Sequence, residues 1–452
     1  MKKKIKNILL FAAVLTFAVG CSSKPNTQSE PEQKKDDVTS ENESGNLDSG
    51  VKATLTFGTW DPDSVRLYEE LDLEGRFQEL YPNVSLEIEE YKDDTEYFNA
   101  MKIRASAEEM PDLMFMTTAA YSTYVDYLVD LAETDAAKNN ILAEGYQVDG
   151  KIYGIPEKRQ EEYVFYWKDL FEEAGVEVPK TWNEFVEVSK KLQEYYGKDN
   201  SDFMAIALGA KDNWCIYPLV ENMPGALSGN GQYWNDMTKE DAPFAEGTDI
   251  YTAYHKIYDL FRTGVFGKDP LGLGYDQAMS LFLEKKAAME MDSPIGVTMM
   301  RSSGTDLSEM GAFYLPFRES EEDPFYLPMR GDFLLGVTKQ SKNPELAVAF
   351  LEFYFSENWY PDYIAKLSSG STMENVDKEL DPILESAQDN TPDPDIYTYD
   401  GGNQTFQDMV TETRFDCKQL GGEMFTEGFD LDKKLSELNE SWAAAREKLD
   451  LK

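Results

Sequence analysis

Histidine is almost missing: His255 is the only one in 452 residues, and just Cys21, Cys215 and Cys417 carry thiols. One imidazole leaves most His-dependent metal sites without their parts and thins the hydrolytic triads to those that could be built on His255. No C-x-x-C occurs, so neither a redox dithiol nor a zinc ribbon is supported. Cations are scarce too. The 43 Lys and Arg face 85 Asp and Glu, for a formal charge of −42. That balance works against nucleic-acid binding, which depends on neutralised phosphates, and against a polybasic membrane patch. The phosphate loop G-x-x-x-x-G-K-[ST] is missing, because Gly150-Lys151, Gly197-Lys198 and Gly267-Lys268 are not followed by Ser or Thr. H-E-x-x-H and G-x-S-x-G are also lacking. The acidic run Asp389–Asp395 places Pro392 and Pro394 where a calcium loop needs flexibility and a glycine. No metal and no cofactor are expected.

What is there is a chain 41% hydrophobic and 13% aromatic, the composition of a globular protein with two or three domains. Its first 21 residues, MKKKIKNILLFAAVLTFAVGC, join Lys2, Lys3, Lys4 and Lys6 to an uncharged apolar run from Ile8 to Val19. The run is shorter than the roughly 20 residues that span a bilayer, and it suits a signal-peptide core. No longer apolar stretch follows downstream. Ala18-Val19-Gly20-Cys21 resembles the lipobox of bacterial lipoproteins, which implies cleavage after residue 20 and a lipid on Cys21. An ordinary secretory signal with a chance cysteine is the alternative. Residues 22–50 are nearly devoid of apolar side chains, so 21–50 reads as a lipidated cysteine and a disordered tether. The expected location is the extracellular face of the cytoplasmic membrane.

From residue 51 onward, strand and helix patterns alternate. Val51–Phe57 is β-rich and closed by Gly58, Ser64–Tyr81 is helix-like, and Val84, Leu86 and Ile88 alternate as a second strand. A helical stretch over Tyr97–Glu108 leads to Asp112–Met116, a short buried strand. This succession favours an α/β lobe with a mainly parallel sheet. Asp149-Gly150 signals a tight hairpin, and Tyr163–Trp167 reads as a fully buried strand. Thr181-Trp182-Asn183-Glu184 is a capping box opening a helix that Gly197 closes. Tyr275–Glu284, Pro344–Phe355 and Ser436–Leu449 are further helices, and Asp389–Gly402 should be a loop. Cys215 and Cys417 either pair or stay free thiols; their spacing does not choose.

The stretch Gly150–Leu192 reads GKIYGIP and then, from Tyr163, YVFYWKDLFEEAGVEVPKTWNEFVEVSKKL. Together with Phe77–Val84, Met110–Leu113, Phe282–Met289 and Gly336–Phe350, it resembles the sugar-binding (family 1) extracellular solute-binding proteins of ABC importers. The resemblance covers about residues 52–450. It implies an α/β, two-lobed, periplasmic-binding-protein-like (Venus flytrap) fold with a ligand cleft between the lobes. One lobe is expected to comprise 51–157 plus about 325–365, the other 158–324 plus about 366–452. Crossings are expected near Glu157–Glu161 and Leu315–Arg330. This chain departs from its relatives after Ala287-Ala288-Met289: Met291-Asp292-Ser293-Pro294-Ile295-Gly296 stands where a Gly and an aromatic are usual.

A sugar offers apolar C–H faces and a ring of hydroxyls, so aromatic faces beside carboxylates, hydroxyls and Arg are the side chains to look for. Trp60 and Asp61 follow the first strand at the end that faces the crevice in open α/β sheets. Trp214 stands in a polar turn, while Thr117, Thr118 and Tyr121 follow the Leu113–Met116 run. Arg159, Arg330 and Asp332 lie at the expected crossings, and Asp292 and Ser293 end a strand. Each has a structural alternative: packing for the indoles, capping for the threonines, and ion pairing for the arginines. Trp167, Trp182 and the Met110, Met114 and Met116 stripe read as core.

The resemblance implies a lipid-anchored monomer that binds a carbohydrate, expected to be an oligosaccharide, and delivers it to an ABC transporter permease without catalysis. A non-sugar solute or a sensor-kinase partner is the near alternative. A surface glycoside hydrolase using a carboxylate pair is the distant one, since 85 acids leave many pairs open.

Overall fold

Two separate sheets organise the chain from residue 50 onward. The computed structural model describes residues 50–451 other than 368, 375, 377–380, 392–393 and 400. The expected signal peptide (1–20), the Cys21 lipidation site and the tether to residue 49 lie outside the described residues.

Eleven strands among the described residues run in chain order. They are β1 (Ala53–Thr59), β2 (Val84–Glu90), β3 (Leu113–Met116), β4 (Ile155–Gln160), β5 (Tyr163–Trp167), β6 (Met204–Ala207), β7 (Ala287–Asp292), β8 (Met310–Tyr314), β9 (Tyr326–Val337), β10 (Gly370–Ser371) and β11 (Asp395–Thr398). The first sheet has the order β10-β4-β9-β3-β1-β2, with β11 paired to β9; the second has the order β6-β7-β5-β8. The expected parallel run exists at β2-β1-β3. The rest of the first sheet departs from it, because β4 and β9 arrive from crossings and pair antiparallel. The second sheet is mixed. Two α/β lobes result.

Local chemistry sets many of the boundaries. In the Val148–Lys151 hairpin, Asp149 and Gly150 hold φ of 52° and 76°, the left-handed pair a two-residue turn demands. Thr181 caps the helix Trp182–Gly197 by accepting the Glu184 N–H at 3.3 Å. The four-residue run Leu113–Met116 is buried along its whole length between β1 and β9.

Three expectations need correction. Ser64–Tyr81 is two helices, Pro62–Glu70 and Leu73–Gln78, because Asp72 turns left-handed (φ 57°) and caps the second through the Gly75 N–H. Asp389–Gly402 contains β11, whose Ile396, Tyr397 and Thr398 find backbone partners on the edge that β9 offers. The last helix starts at Leu431, earlier than Ser436, because Asp430 caps it.

The second lobe has one continuous core that includes Trp167, Trp234 and Trp442. The first has two: one around Phe57, Phe350 and Trp359, the other around Tyr97 and the buried methionines Met110, Met114 and Met116. Cys215 and Cys417 are free thiols. Among the described residues no helix is long and apolar enough to cross a membrane.

Candidate ligand-binding site

The chain leaves the first sheet at Gln160 and enters the second at Tyr163, so Glu161 and Glu162 form the crossing. Both are buried. Charged groups converge here because strands from both lobes begin and end here. Arg330 on β9 donates from Nε to Gln160 Oε1 at 3.1 Å, and Gln160 Nε2 donates to the Tyr217 hydroxyl at 3.0 Å. Tyr217 in turn donates to Glu162. The Arg330 guanidinium lies 4.9 Å over the Tyr217 ring, with one nitrogen 3.8 Å from Glu221. Glu221 also accepts from the Tyr399 hydroxyl at 2.8 Å and stands 3.3 Å from the Lys418 ammonium. Arg330 therefore has the ion-pairing role offered as its alternative, and it reaches across to the second lobe to fill it.

The other crossing residues pair more locally. Arg159 Nε sits 3.1 Å from Glu161, and Asp332 sits 3.9 Å from Lys158, whose ammonium lies 4.1 Å over the Phe333 ring.

Asp292 ends β7 and, with Ser293, is buried. Its carboxylate accepts from the Tyr275 hydroxyl at 2.5 Å and from the Ser293 N–H at 2.7 Å. The Tyr275 ring packs 4.8 Å from Trp214, and Trp214 keeps 44% of its surface exposed. An open indole face thus stands one ring away from a carboxylate, in the geometry a hydroxylated ring can use. Burial raises Asp292 to about 6 and Glu162 to about 8, and it lifts Glu290, two residues upstream on β7, in the same direction.

In the first lobe, Trp60 is half-buried, stacked 4.9 Å from Phe333 and packed against Tyr97 and Phe98. Asp61 caps the helix Pro62–Glu70, with its oxygens accepting from the Asp63 N–H at 3.1 Å and the Ser64 hydroxyl at 2.7 Å. Thr117 caps the helix Thr118–Tyr124 through the Ala120 N–H. Tyr121 is buried, donates to the Tyr146 carbonyl at 2.8 Å and accepts from the Tyr153 N–H at 3.0 Å. These bonds account for Asp61, Thr117 and Tyr121 without a ligand.

Sequence reasoning missed Gln160, Glu162, Tyr217, Glu221, Tyr275 and Glu290. Glu161-Glu162 carried a usable signal, two adjacent acids between a crossing and a wholly apolar strand; the rest had none. A concavity of about 470 Å³ lined by Lys168, Arg301, Asp306 and Pro382 touches the far ends of β5 and β8 and shares no residue with this group. Among the described residues no group of three or more His, Cys, Asp or Glu is arranged to hold a metal ion.

Residues 75–392 match the family described as bacterial extracellular solute-binding protein. The multiple sugar-binding protein of Streptococcus mutans is 24% identical over 222 residues, 47% of this chain and 50% of that protein. The galactooligosaccharide-binding protein of Bacillus subtilis is 28% identical over 221 residues, 46% of this chain and 47% of that one. The chain thus spans about half the length of these curated relatives. The ligand-free structure of RafE from Streptococcus pneumoniae superposes with a TM-score of 0.71 at 19% identity, over 87% of this chain and 98% of that one. That likeness shows the two-lobed fold.

Proposed function

This chain belongs to the bacterial extracellular solute-binding proteins, and from that premise we propose that it captures an oligosaccharide between its lobes and delivers it to an ABC transporter permease. The observation that carries the reading is the exposed Trp214 face, one ring from Asp292, beside the strands that join the lobes. The names of the relatives, which bind multiple sugars and galactooligosaccharides, support it. The ligand-contacting set is Trp214, Tyr275, Asp292 and Ser293 from the second lobe, with Trp60 and Asp332 from the first. Arg159 and Arg330 hold the crossings. The first lobe comprises 51–157 plus about 325–365 and the second 158–324 plus about 366–452, with β10 and β11 reaching back to the first sheet. The lobes close by rotation about the crossings, and closure is what the permease reads. The protein acts as a monomer held outside the membrane by a lipid on Cys21, and its role is binding without covalent chemistry.

The test is a panel of neutral and amine-bearing oligosaccharides, read by thermal shift and calorimetry on the full chain. Saturable binding of one class supports the reading. Binding confined to non-sugar solutes would remove it, and sustained release of new reducing ends would replace it with glycoside hydrolysis.

A further inference from the structure

Glu162 immediately precedes β5 and Asp292 ends β7, both at the crossing side of the second sheet, with Glu290 two residues upstream on β7; only 6%, 5% and 3% of their surfaces are exposed. Asp292 pairs with Tyr163 and Glu290 with Phe165 across β5 and β7, which brings the two β7 carboxyls beside the strand that Glu162 precedes. Their bonding is incomplete. Glu162 Oε1 takes the Tyr217 hydroxyl, but Glu162 Oε2 and Glu290 Oε2 are buried with no hydrogen-bond partner. The cation that acts on Glu162 is Arg330, already divided among Gln160, the Tyr217 ring and Glu221.

Buried carboxylates without a countercharge cost several kcal/mol each, so such a group either keeps its protons or takes a cation. A bare metal ion is not the fit, because among the described residues no such cluster has the arrangement to hold one. A protonated amine is. It brings one positive charge and three N–H donors to oxygens that lack donors. Tyr275 touches Asp292 and Trp214 packs on Tyr275, so an open indole face for the C–H surface of a sugar bearing the amine stands one ring from the carboxylate.

We propose that the second-lobe end of the cleft recognises an amine-bearing saccharide, with the ammonium seated at Asp292, Glu162 and Glu290 and the sugar ring against Trp214. The proposal rests on the oligosaccharide reading above and names the ligand class within it. Protonation supplies a second readout. The groups facing these carboxyls are Tyr217, Tyr275, Cys215, Glu221 and Arg330. Burial holds protons on Glu162 up to about 8 and on Asp292 up to about 6. An arriving ammonium favours the ionised forms, so binding near neutral pH releases protons to the buffer.

The experiment is calorimetric titration of the full chain with matched trisaccharides of the gluco and galacto series, each as free amine and as N-acetylated partner. Putrescine serves as a sugar-free amine, and buffers of unlike ionisation enthalpy count the protons. The expected result is at least about tenfold tighter binding of a free-amine trisaccharide than of its N-acetylated partner, the scale of one well-paired buried charge. Net proton release accompanies it, and Glu290→Gln shrinks the preference. N-acetylated partners binding as tightly as the amines would overturn the inference and leave the oligosaccharide reading intact. Putrescine binding with no saccharide binding, or no binding by any saccharide, would overturn both. Should Glu290→Gln fail to fold, the wild-type comparison of amine with N-acetylated partner decides alone.

Discussion

Arg330 and Gln160 are joined by a hydrogen bond of 3.1 Å, side chain to side chain, between the two strands on which the chain leaves and re-enters the first sheet. Through Tyr217 and Glu221 the same pair holds the second lobe. Arg330→Ala therefore strips the cation from Glu162, leaves Glu221 with Lys418 alone, and breaks the tie between crossings. Breaking a buried ion pair costs about 3–5 kcal/mol, and 23% side-chain exposure of Arg330 moves the expectation to the lower end of that range. Arg330→Lys keeps the charge but cannot reproduce both the bond to Gln160 and the planar contact with Tyr217, so it falls between. Urea unfolding of both variants is the measurement, and wild-type stability in the alanine variant would refute the linkage.

Glu157 lies fully buried on β4, with the hydroxyls of Tyr354 and Tyr363 directed at its Oε1. Burial lifts its carboxyl from 4.5 to about 7. The native state thus holds a proton that the unfolded chain releases above about 4.5, and the associated stability is complete below that point. It declines as pH climbs through about 7, by about 3 kcal/mol in total. Glu157→Gln cannot ionise, so its stability should fall less between pH 5 and pH 8 than the wild type does. Melting curves across that range decide, and parallel profiles for the two proteins would exclude the assignment.

What could be read beforehand divides along sequence distance. Thr181 and Glu184, Asp149 and Gly150, and the apolar runs at β3 and β5 are local signals, since each needs only its neighbours to fix a cap, a turn or a strand. The family likeness is legible for another reason, the combined order of several such stretches, and the family match spans residues 75–392. The crossing cluster is the opposite case. Arg330 and Gln160 are 170 residues apart, and Tyr399 and Glu221 are 178 apart. Their meeting is a consequence of β9 returning antiparallel beside β4, which no local pattern encodes. The same holds for β11, whose partner edge exists only once β9 is in place.

Asp61 follows the first strand with one residue between, and both its carboxylate oxygens serve the helix that comes next. Asp61→Ala should cost about 1 kcal/mol of stability, as loss of a helix cap does, and leave ligand affinity nearly unchanged. Asp61→Asn should recover most of the loss. Equilibrium unfolding beside a binding titration separates the outcomes. A large affinity loss in the asparagine variant with stability restored would place Asp61 in the ligand shell.

Trp60 and Trp214 pose the same question from opposite lobes, and their surroundings give different answers. Trp60 packs against Phe333, Tyr97 and Phe98, so Trp60→Ala opens a void in the first lobe and should cost about 2–3 kcal/mol. Among the described residues Trp214 has a single ring neighbour, Tyr275, and much of its face is open. Trp214→Ala should change stability by less than about 1 kcal/mol. It should nevertheless weaken saccharide binding by about ten- to a hundredfold, because an aromatic anchor at a binding face carries a disproportionate share of the affinity. Indole fluorescence gives a third measure: a ligand that covers Trp214 shifts the emission of the wild type, and that shift vanishes in the Trp214→Ala protein. Unaltered affinity in Trp214→Ala together with a large affinity loss in a still-folded Trp60→Ala would move the sugar platform from the second lobe to the first.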